Sequence, residues 1–360
     1  MKKNIIFTII CLFLFSACQL FLGPEPDLSP ENVLHSLWKD FNDLHAYVHI
    51  RMDNNANFNN WKEVYEHYKT KLNNGELNLF EASSEMLNEL SDPHVNLFAT
   101  SGYFWTVSDS MFLYKKNSSY GGEREEFINI TKTYLKNGGT MLKDDLLYGV
   151  FESSPNIGYL YISRFYDPVE SENSLGWAES INDIVRFFRN NTSAVVIDIR
   201  YNTGGISQIM EYVAARFACS QENYLITSAK NGPGRNDFSA PVTYRITPVS
   251  TSYTKPVVVL TNKASFSAAE WFTLALRKQV NVRHVGTSTC GALSIRTTRP
   301  MINGWYYSIS AFKVTDMDGK CYEGFGIRPH VEITGDEDSV WAVHPGKQIE
   351  AVLNWMKENI

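Results

Sequence analysis

After Asn156 the chain alternates short apolar runs with amphipathic stretches, and that alternation restricts the fold more than any other feature of its 360 residues. Residues 157–162 read as a strand, and Ile181, Ile184, Val185 and Phe188 mark a helix face. The run 194–199 is apolar almost throughout, as expected of a strand covered on both faces. A helical pattern follows over 206–217, then a strand over 256–261, then a helix from Ser267 to about residue 277. This β-α-β-α order predicts a layered α/β core with crossover connections over 156–360. Two later strands, 305–310 and 312–315, a turn at 316–319, and a closing helix through Ile349, Val352, Leu353 and Met356 complete it.

The front of the chain has a different period. Ser29-Pro30-Glu31 reads as a helix start, with Ser29 as cap and Pro30 at the first helical position. Leu34, Leu37, Trp38, Phe41 and Leu44 follow at helical spacing. Trp61, Val64, Tyr65, Tyr68 and Leu72 form a second such stripe, and Phe80, Ser83, Met86, Leu87 and Leu90 a third, which stops at Ser91-Asp92-Pro93. Three short helices predict a small helical bundle over 29–99. Residues 100–155, broken by Gly121-Gly122 and Gly138-Gly139, read as a linker or cap.

Ahead of the bundle stand Lys2 and Lys3, an apolar run to Phe15, and Ser16-Ala17-Cys18. A charged start, a short apolar middle and small residues before the cut predict a secretory signal over 1–17, too short to read as a membrane span. Phe-Ser-Ala-Cys resembles the lipobox of bacterial lipoproteins, which implies an acylated Cys18, a tether over 18–28 and a body held at a bacterial membrane of the cell envelope. The outer membrane is the expected one, with the body in the periplasm or outside.

Composition closes off other classes. With 44% hydrophobic residues the chain can build real cores. Its formal net charge of −6, made more negative when Lys2 and Lys3 leave with the signal, excludes nucleic acid as a partner. Cys219, Cys290 and Cys321 allow one disulfide at most, and sequence does not choose it. No Cys or His spacing matches a metal site, so neither metal nor cofactor is expected.

Two turns that carry glycine or serine sit where strands hand over to helices, the place where α/β sheets hold ligands. Asn202-Thr203-Gly204-Gly205 lets backbone approach a bound group closely, although a tight turn needs glycine in any case. Ser267-Ala268-Ala269-Glu270 opens a helix. There Ser267 gains from the positive end of the dipole, or serves as a plain N-cap in a capping box with Glu270.

These segments resemble the carboxyl-terminal processing peptidases and their tricorn-core relatives. Ser-Ala-Ala-Glu after an apolar strand, followed by Val285-Gly286-Thr287-Ser288-Thr289-Cys290-Gly291, is similar to the family's nucleophile region. Asn202-Thr203-Gly204-Gly205 resembles its glycine loop, Glu323-Gly324-Phe325-Gly326-Ile327-Arg328-Pro329 its late Glu-x-x-Gly element, and Glu89-Leu90-Ser91-Asp92-Pro93-His94 the segment that delivers a histidine. The resemblance implies a crotonase- or ClpP-like layered α/β core preceded by the helical bundle, and a peptide or protein substrate. It implies Ser267 as nucleophile, His94 as general base, Glu323 as the late glutamate, and an oxyanion hole from Gly204, Gly205 and Ala268.

Two departures matter. The lysine that processing peptidases place about 25 residues after the serine is Ala292 here, which leaves the histidine-using branch. Pro93 stands where that branch has a relay serine. No Gly-Leu-Gly-Phe loop of a PDZ domain is present in the sequence.

A serine hydroxyl must lose its proton as it attacks, and an imidazole with a pKa near ~6.5 can take it and return it to the leaving amine. Loss of one oxyanion donor is expected to cost about 3 kcal/mol. An esterase using the same serine, or a non-catalytic binding lipoprotein of the same fold, are the alternatives the residues leave open.

Overall fold

The apolar runs after Asn156 assemble into one seven-stranded sheet in the computed structural model, which describes residues 26–105, 119–143, 145–166, 179–334 and 345–360. The signal 1–17, Cys18 and most of the tether lie outside these residues. In chain order the front gives α1 (Pro30–Leu44), α2 (Val48–Asp53), α3 (Trp61–Asn73) and α4 (Leu79–Asn88), then β1 (Asn96–Ala99) and β2 (Gly102–Trp105). α5 (Ser119–Thr133), β3 (Thr140–Leu142) and β4 (Leu146–Val150) lead into β5 (Ile157–Ile162), α6 (Ile181–Asn191), β6 (Ala194–Asp198) and α7 (Ser207–Ala214). Next come β7 (Glu222–Ala229), β8 (Val242–Ile246), β9 (Val257–Thr261), α8 (Ala268–Arg277) and β10 (Val282–Gly286). β11 (Arg296–Pro300), β12 (Tyr306–Ser310), β13 (Phe312–Thr315), β14 (Val331–Glu332) and α9 (Pro345–Asn359) close the chain.

The large sheet runs β14-β10-β9-β6-β5-β4-β3. β5, β6, β9, β10 and β14 are mutually parallel, and β3 and β4 are added antiparallel at one edge. Every residue of β5, β6 and β9 is buried, because helices cover both faces. One core joins the sheet to α6, α7 and α8 through residues such as Phe188, Met210 and Phe272. The opposite core joins it to α5 and α9 through Phe127, Val352 and Met356. The layered α/β core expected from the alternation is therefore present.

Residues 140–150, expected in a linker or cap, instead supply two strands of the main sheet. The β3–β4 pair is short and its glycines mask the period-two signal. Gly139 takes a positive φ of 67° to enter β3, a turn that sequence pattern alone does not distinguish from a loop.

The front helices likewise are not a bundle standing alone before the core. Their apolar faces pack with a four-stranded antiparallel sheet of order β11-β12-β1-β2, two strands of which come from the rear of the chain. Val33, Phe41, Val64 and Leu87 meet Leu97, Tyr307 and Ile309 in one core. Three short helices bury little surface by themselves, and the sheet supplies the missing partner. Asn60 and Asn78 cap α3 and α4 by accepting the N–H groups of Glu63 and Glu81, whereas Ser29, expected to cap α1, gives its hydroxyl to Asp27 instead. Cys219, Cys290 and Cys321 are free thiols.

Candidate active site

The turns leaving β6 and β9 lie side by side, because these parallel neighbours end at the same edge of the sheet. Ser267 sits at the start of α8 with φ 60° and ψ −124°, a conformation costly for a residue with a Cβ. Such strain, on the order of 1–3 kcal/mol, persists only where surrounding bonds over-determine the backbone. Here they do. The Ser267 N–H donates to the Ala292 carbonyl at 3.1 Å and to the Glu270 carboxylate at 3.2 Å, the latter being half of the expected capping box. Phe266 N–H donates to the Asn202 carbonyl at 3.0 Å, and Ser265 Oγ donates to the Ile199 carbonyl at 2.8 Å, locking the two turns together.

Glu270 is the anchor of this arrangement. Its buried carboxylate accepts from Thr289 Oγ1 (2.6 Å), Gly291 N–H (2.7 Å) and Ala292 N–H (2.8 Å) as well as from Ser267. Burial pushes its pKa up to about 7 while those donors pull it down. In the sequence Glu270 stands out only as the motif and capping-box partner of Ser267; its part in joining the loop after β10 to the Ser267 turn is visible only in the fold.

Gly204 faces Ser267 so closely that a Cβ there would lie 2.6 Å from the serine Cβ and 2.8 Å from the Ala268 nitrogen. Its own N–H is taken by Asn202 Oδ1 at 2.8 Å. Gly205, with φ 137°, passes 2.2 Å from the Phe165 carbonyl oxygen by the same measure, and this admits no side chain. Gly205, Ser267 and Ala268 share the wall of a cavity of about 200 Å³ with Tyr244, Trp271 and Arg296. Of the three residues expected to form the oxyanion hole, Gly205 and Ala268 therefore line the cavity, and Gly204 provides the close approach. Arg200, Asn262 and Ser265 shape the turns: Arg200 is buried and paired with Asp198 at 2.6 Å, and Asn262 Oδ1 accepts the Tyr201 and Ala264 N–H groups.

His94 reaches this place from the front of the chain. β1 pairs with β12, and the His94 carbonyl accepts from Ser308 Oγ at 2.7 Å, while its N–H donates to Asp92 Oδ1 at 2.9 Å. The imidazole is buried, with its centroid 6.4 Å from that of Phe266, the residue before Ser267. Nδ1 is buried without a partner, and no hydrogen bond joins the ring to Ser267 among the described residues. Burial, opposed by Asp92 and aided by Arg296, Arg51 and His45, pushes the His94 pKa down to about 4.

Glu323 lies in the same region and makes no hydrogen bond to His94. It accepts from Leu293 N–H at 2.9 Å, from Ser294 N–H at 3.3 Å and from Arg51 at 3.2 Å. Burial, the nearby Asp92 charge and Glu270 raise its pKa, against the pull of Arg51. Asp92 accepts from His45 Nε2 at 2.8 Å, and that hydrogen bond, with the nearby cations, outweighs burial to hold its pKa well below the carboxylate range. His45, the buried partner of Asp92, and Arg51 were not singled out from sequence, because the residues they bind are 47 and 272 positions away. Among the described residues no group of His, Cys, Asp and Glu could hold a metal ion.

Residues 156–333, which contain the nucleophile turn, the glycine turn and Glu323, match the model of peptidase family S41. This part of the chain is an S41 peptidase domain. Carboxy-terminal processing protease CtpB of Bacillus subtilis is 25% identical over 178 residues, 49% of this chain and 34% of that protein. CtpA of the same organism is 25% identical over 177 residues, 49% of this chain and 35% of its own length. The matched stretch thus spans about a third of these curated relatives.

Among solved structures, a candidate peptidase from Parabacteroides merdae covers 92% of this chain and 97% of its own, with 24% identity and a TM-score of 0.73. Mature CPAF covers 91% and 96% at 13% identity with a TM-score of 0.66. These likenesses extend the shared fold beyond the S41 domain to the front helices and the sheet that carries His94.

Proposed function

We propose that the chain is a serine-type peptidase that hydrolyses peptide bonds through an acyl-enzyme on Ser267. The observation that carries this reading is the strained Ser267 backbone, held by Glu270 and Ala292 at the wall of a cavity and flush against Gly204. A non-glycine residue kept at φ 60° marks a position where geometry matters more than local stability.

In the proposed reaction Ser267 Oγ attacks the carbonyl carbon. The N–H groups of Ala268 and Gly205 stabilise the developing oxyanion, with Gly204 giving the substrate room. His94 accepts the Ser267 proton and returns it to the leaving amine, and water then releases the acyl group by the same route in reverse. With its pKa pushed down to about 4, the imidazole is neutral at physiological pH and able to accept that proton. A hydrogen bond between His94 and Ser267 forms in the substrate complex, since catalytic contacts of free enzymes tighten on binding. Glu323 acts as a positioning residue: it grips the Leu293 and Ser294 backbone and holds Arg51, whose charge acts on Asp92, the acceptor of the His94 N–H. The protein is exported by the 1–17 signal and anchored by lipid on Cys18 to the cell envelope of a bacterium, where peptides or proteins are its substrates.

A fluorophosphonate probe and an unbiased peptide pool read by mass spectrometry test this together. Labelling and cleavage by the wild type, both lost in Ser267→Ala, are expected. Equal digestion by the two forms, with no labelling, overturns it.

A further inference from the structure

Arg296 opens β11 and forms part of the same cavity wall as Ser267 and Ala268. Several other arginines of the chain lie within ion-pair distance of a carboxyl group: Arg51 of Glu323, Arg164 of Asp145, Arg200 of Asp198 and Arg235 of Asp53. Arg296 is exposed and has no carboxylate within ion-pair distance among the described residues. The cavity it borders is otherwise walled, among the described residues, by Tyr244, Trp271, Ile295, serines and backbone, with no acidic side chain. A guanidinium beside apolar walls, with its five donors unspent on protein carboxylates, is suited to a planar anion brought in by a ligand.

We propose that Arg296 is a specificity-determining residue that takes a substrate carboxylate, from an acidic side chain or a free C-terminus, at the mouth of the cavity beside Ser267. The inference rests on the peptidase reading of that serine. It gives the substrate class a direction: peptides with a carboxylate near the cleaved bond are preferred over their amide counterparts. It also couples binding to chemistry. Arg296 is among the charges that hold the His94 imidazole below its ordinary pKa, together with Arg51 and His45 and against Asp92. A bound carboxylate offsets the Arg296 charge and makes His94 a stronger base in the complex than in the free protein.

The test uses fluorescein-labelled octapeptides of Ala and Leu that carry Glu or Gln at successive positions, each made with a free and with an amidated C-terminus. The full mature chain and its Arg296→Gln, Arg296→Lys and Ser267→Ala variants are compared. The wild type is expected to cleave the preferred acid about tenfold faster in kcat/KM than its amide, the low end for a charged hydrogen bond. Arg296→Lys should keep most of that ratio, and Arg296→Gln should bring it within about twofold. The Glu/Gln and acid/amide arms decide which carboxylate is read. In the wild type the acid limb of kcat should lie at higher pH for the carboxylate peptide than for its amide, and in Arg296→Gln the two limbs should coincide.

An undiminished ratio in Arg296→Gln overturns the proposal and leaves Ser267 chemistry standing. Equal cleavage by wild type and Ser267→Ala overturns the peptidase reading instead. Binding then decides the Arg296 assignment: fluorescence anisotropy should show Ser267→Ala holding the carboxylate peptide about tenfold tighter than the amide, and the added Arg296→Gln change should abolish the difference. No preference in either form overturns it.

Discussion

The two halves of the site are held in opposite ways. Around Ser267 the backbone itself is fixed, by bonds from Ala292, Glu270 and Asn202, all within the S41 domain. Around His94 only the backbone is fixed, by Asp92 and Ser308, and the imidazole has a buried Nδ1 with no partner. Ser267 is thus positioned by local turn chemistry and His94 by strand pairing between the two ends of the chain.

That contrast can be broken most directly at Ser267. Ser267→Ala should lower kcat on the order of 10⁶-fold, with the fold unchanged by circular dichroism. His94→Ala should cost less, about 10²–10⁴-fold, because it removes assisted proton transfer but leaves the attacking hydroxyl in place. A loss as large as that of Ser267→Ala would show the base to be as tightly built in as the nucleophile. Stability separates the halves further. Glu270→Gln puts an amide where three N–H groups and the Thr289 hydroxyl now converge, and should destabilise by about 3 kcal/mol in urea unfolding. An unaffected midpoint would mean that the turn holds itself.

The pH dependence sharpens the same comparison at lower amplitude. With His94 neutral above about 4, kcat/KM on an uncharged substrate should hold down to that pH and fall only below it, in place of the ordinary histidine limb near ~6.5. Asp92 opposes this shift, and Arg296, Arg51 and His45 support it. The smallest effect is expected at Glu323. Its folded pKa is raised above the ordinary 4.5, so its contribution to stability is fully present below 4.5 and is lost as pH rises through the folded value. The melting temperature of Glu323→Gln, relative to wild type, should therefore improve between pH 5 and pH 9. A constant difference across that range would place the charge of Glu323 outside the stability balance.

Much of the rear of the molecule was legible in sequence. The strands Ile157–Ile162, Ala194–Asp198 and Val257–Thr261 are short apolar runs buried on both faces, and the helices after the first two carry one apolar stripe each, so the pattern alone delimits them. The Gly204-Gly205 and Ser267 turns carry their signals within a few residues. β3, β4 and β11 were less visible: they are short or edge strands, with exposed residues such as Thr140, Arg296 and Thr298 that blur the alternation. Glu323 was found by its motif, but its partners Leu293, Ser294 and Arg51 were not.

The sequence by itself determined the layered core and the strand-to-helix turns, because each is encoded by neighbours within one element or one turn. Tertiary structure alone decided that β1 pairs with β12, that His94 thereby stands near Phe266, that Glu270 ties the loop after β10 to the Ser267 turn and that Arg296 lines the cavity. Hydrogen bonds between residues hundreds of positions apart leave no periodic trace in a chain; they form only after the elements have packed.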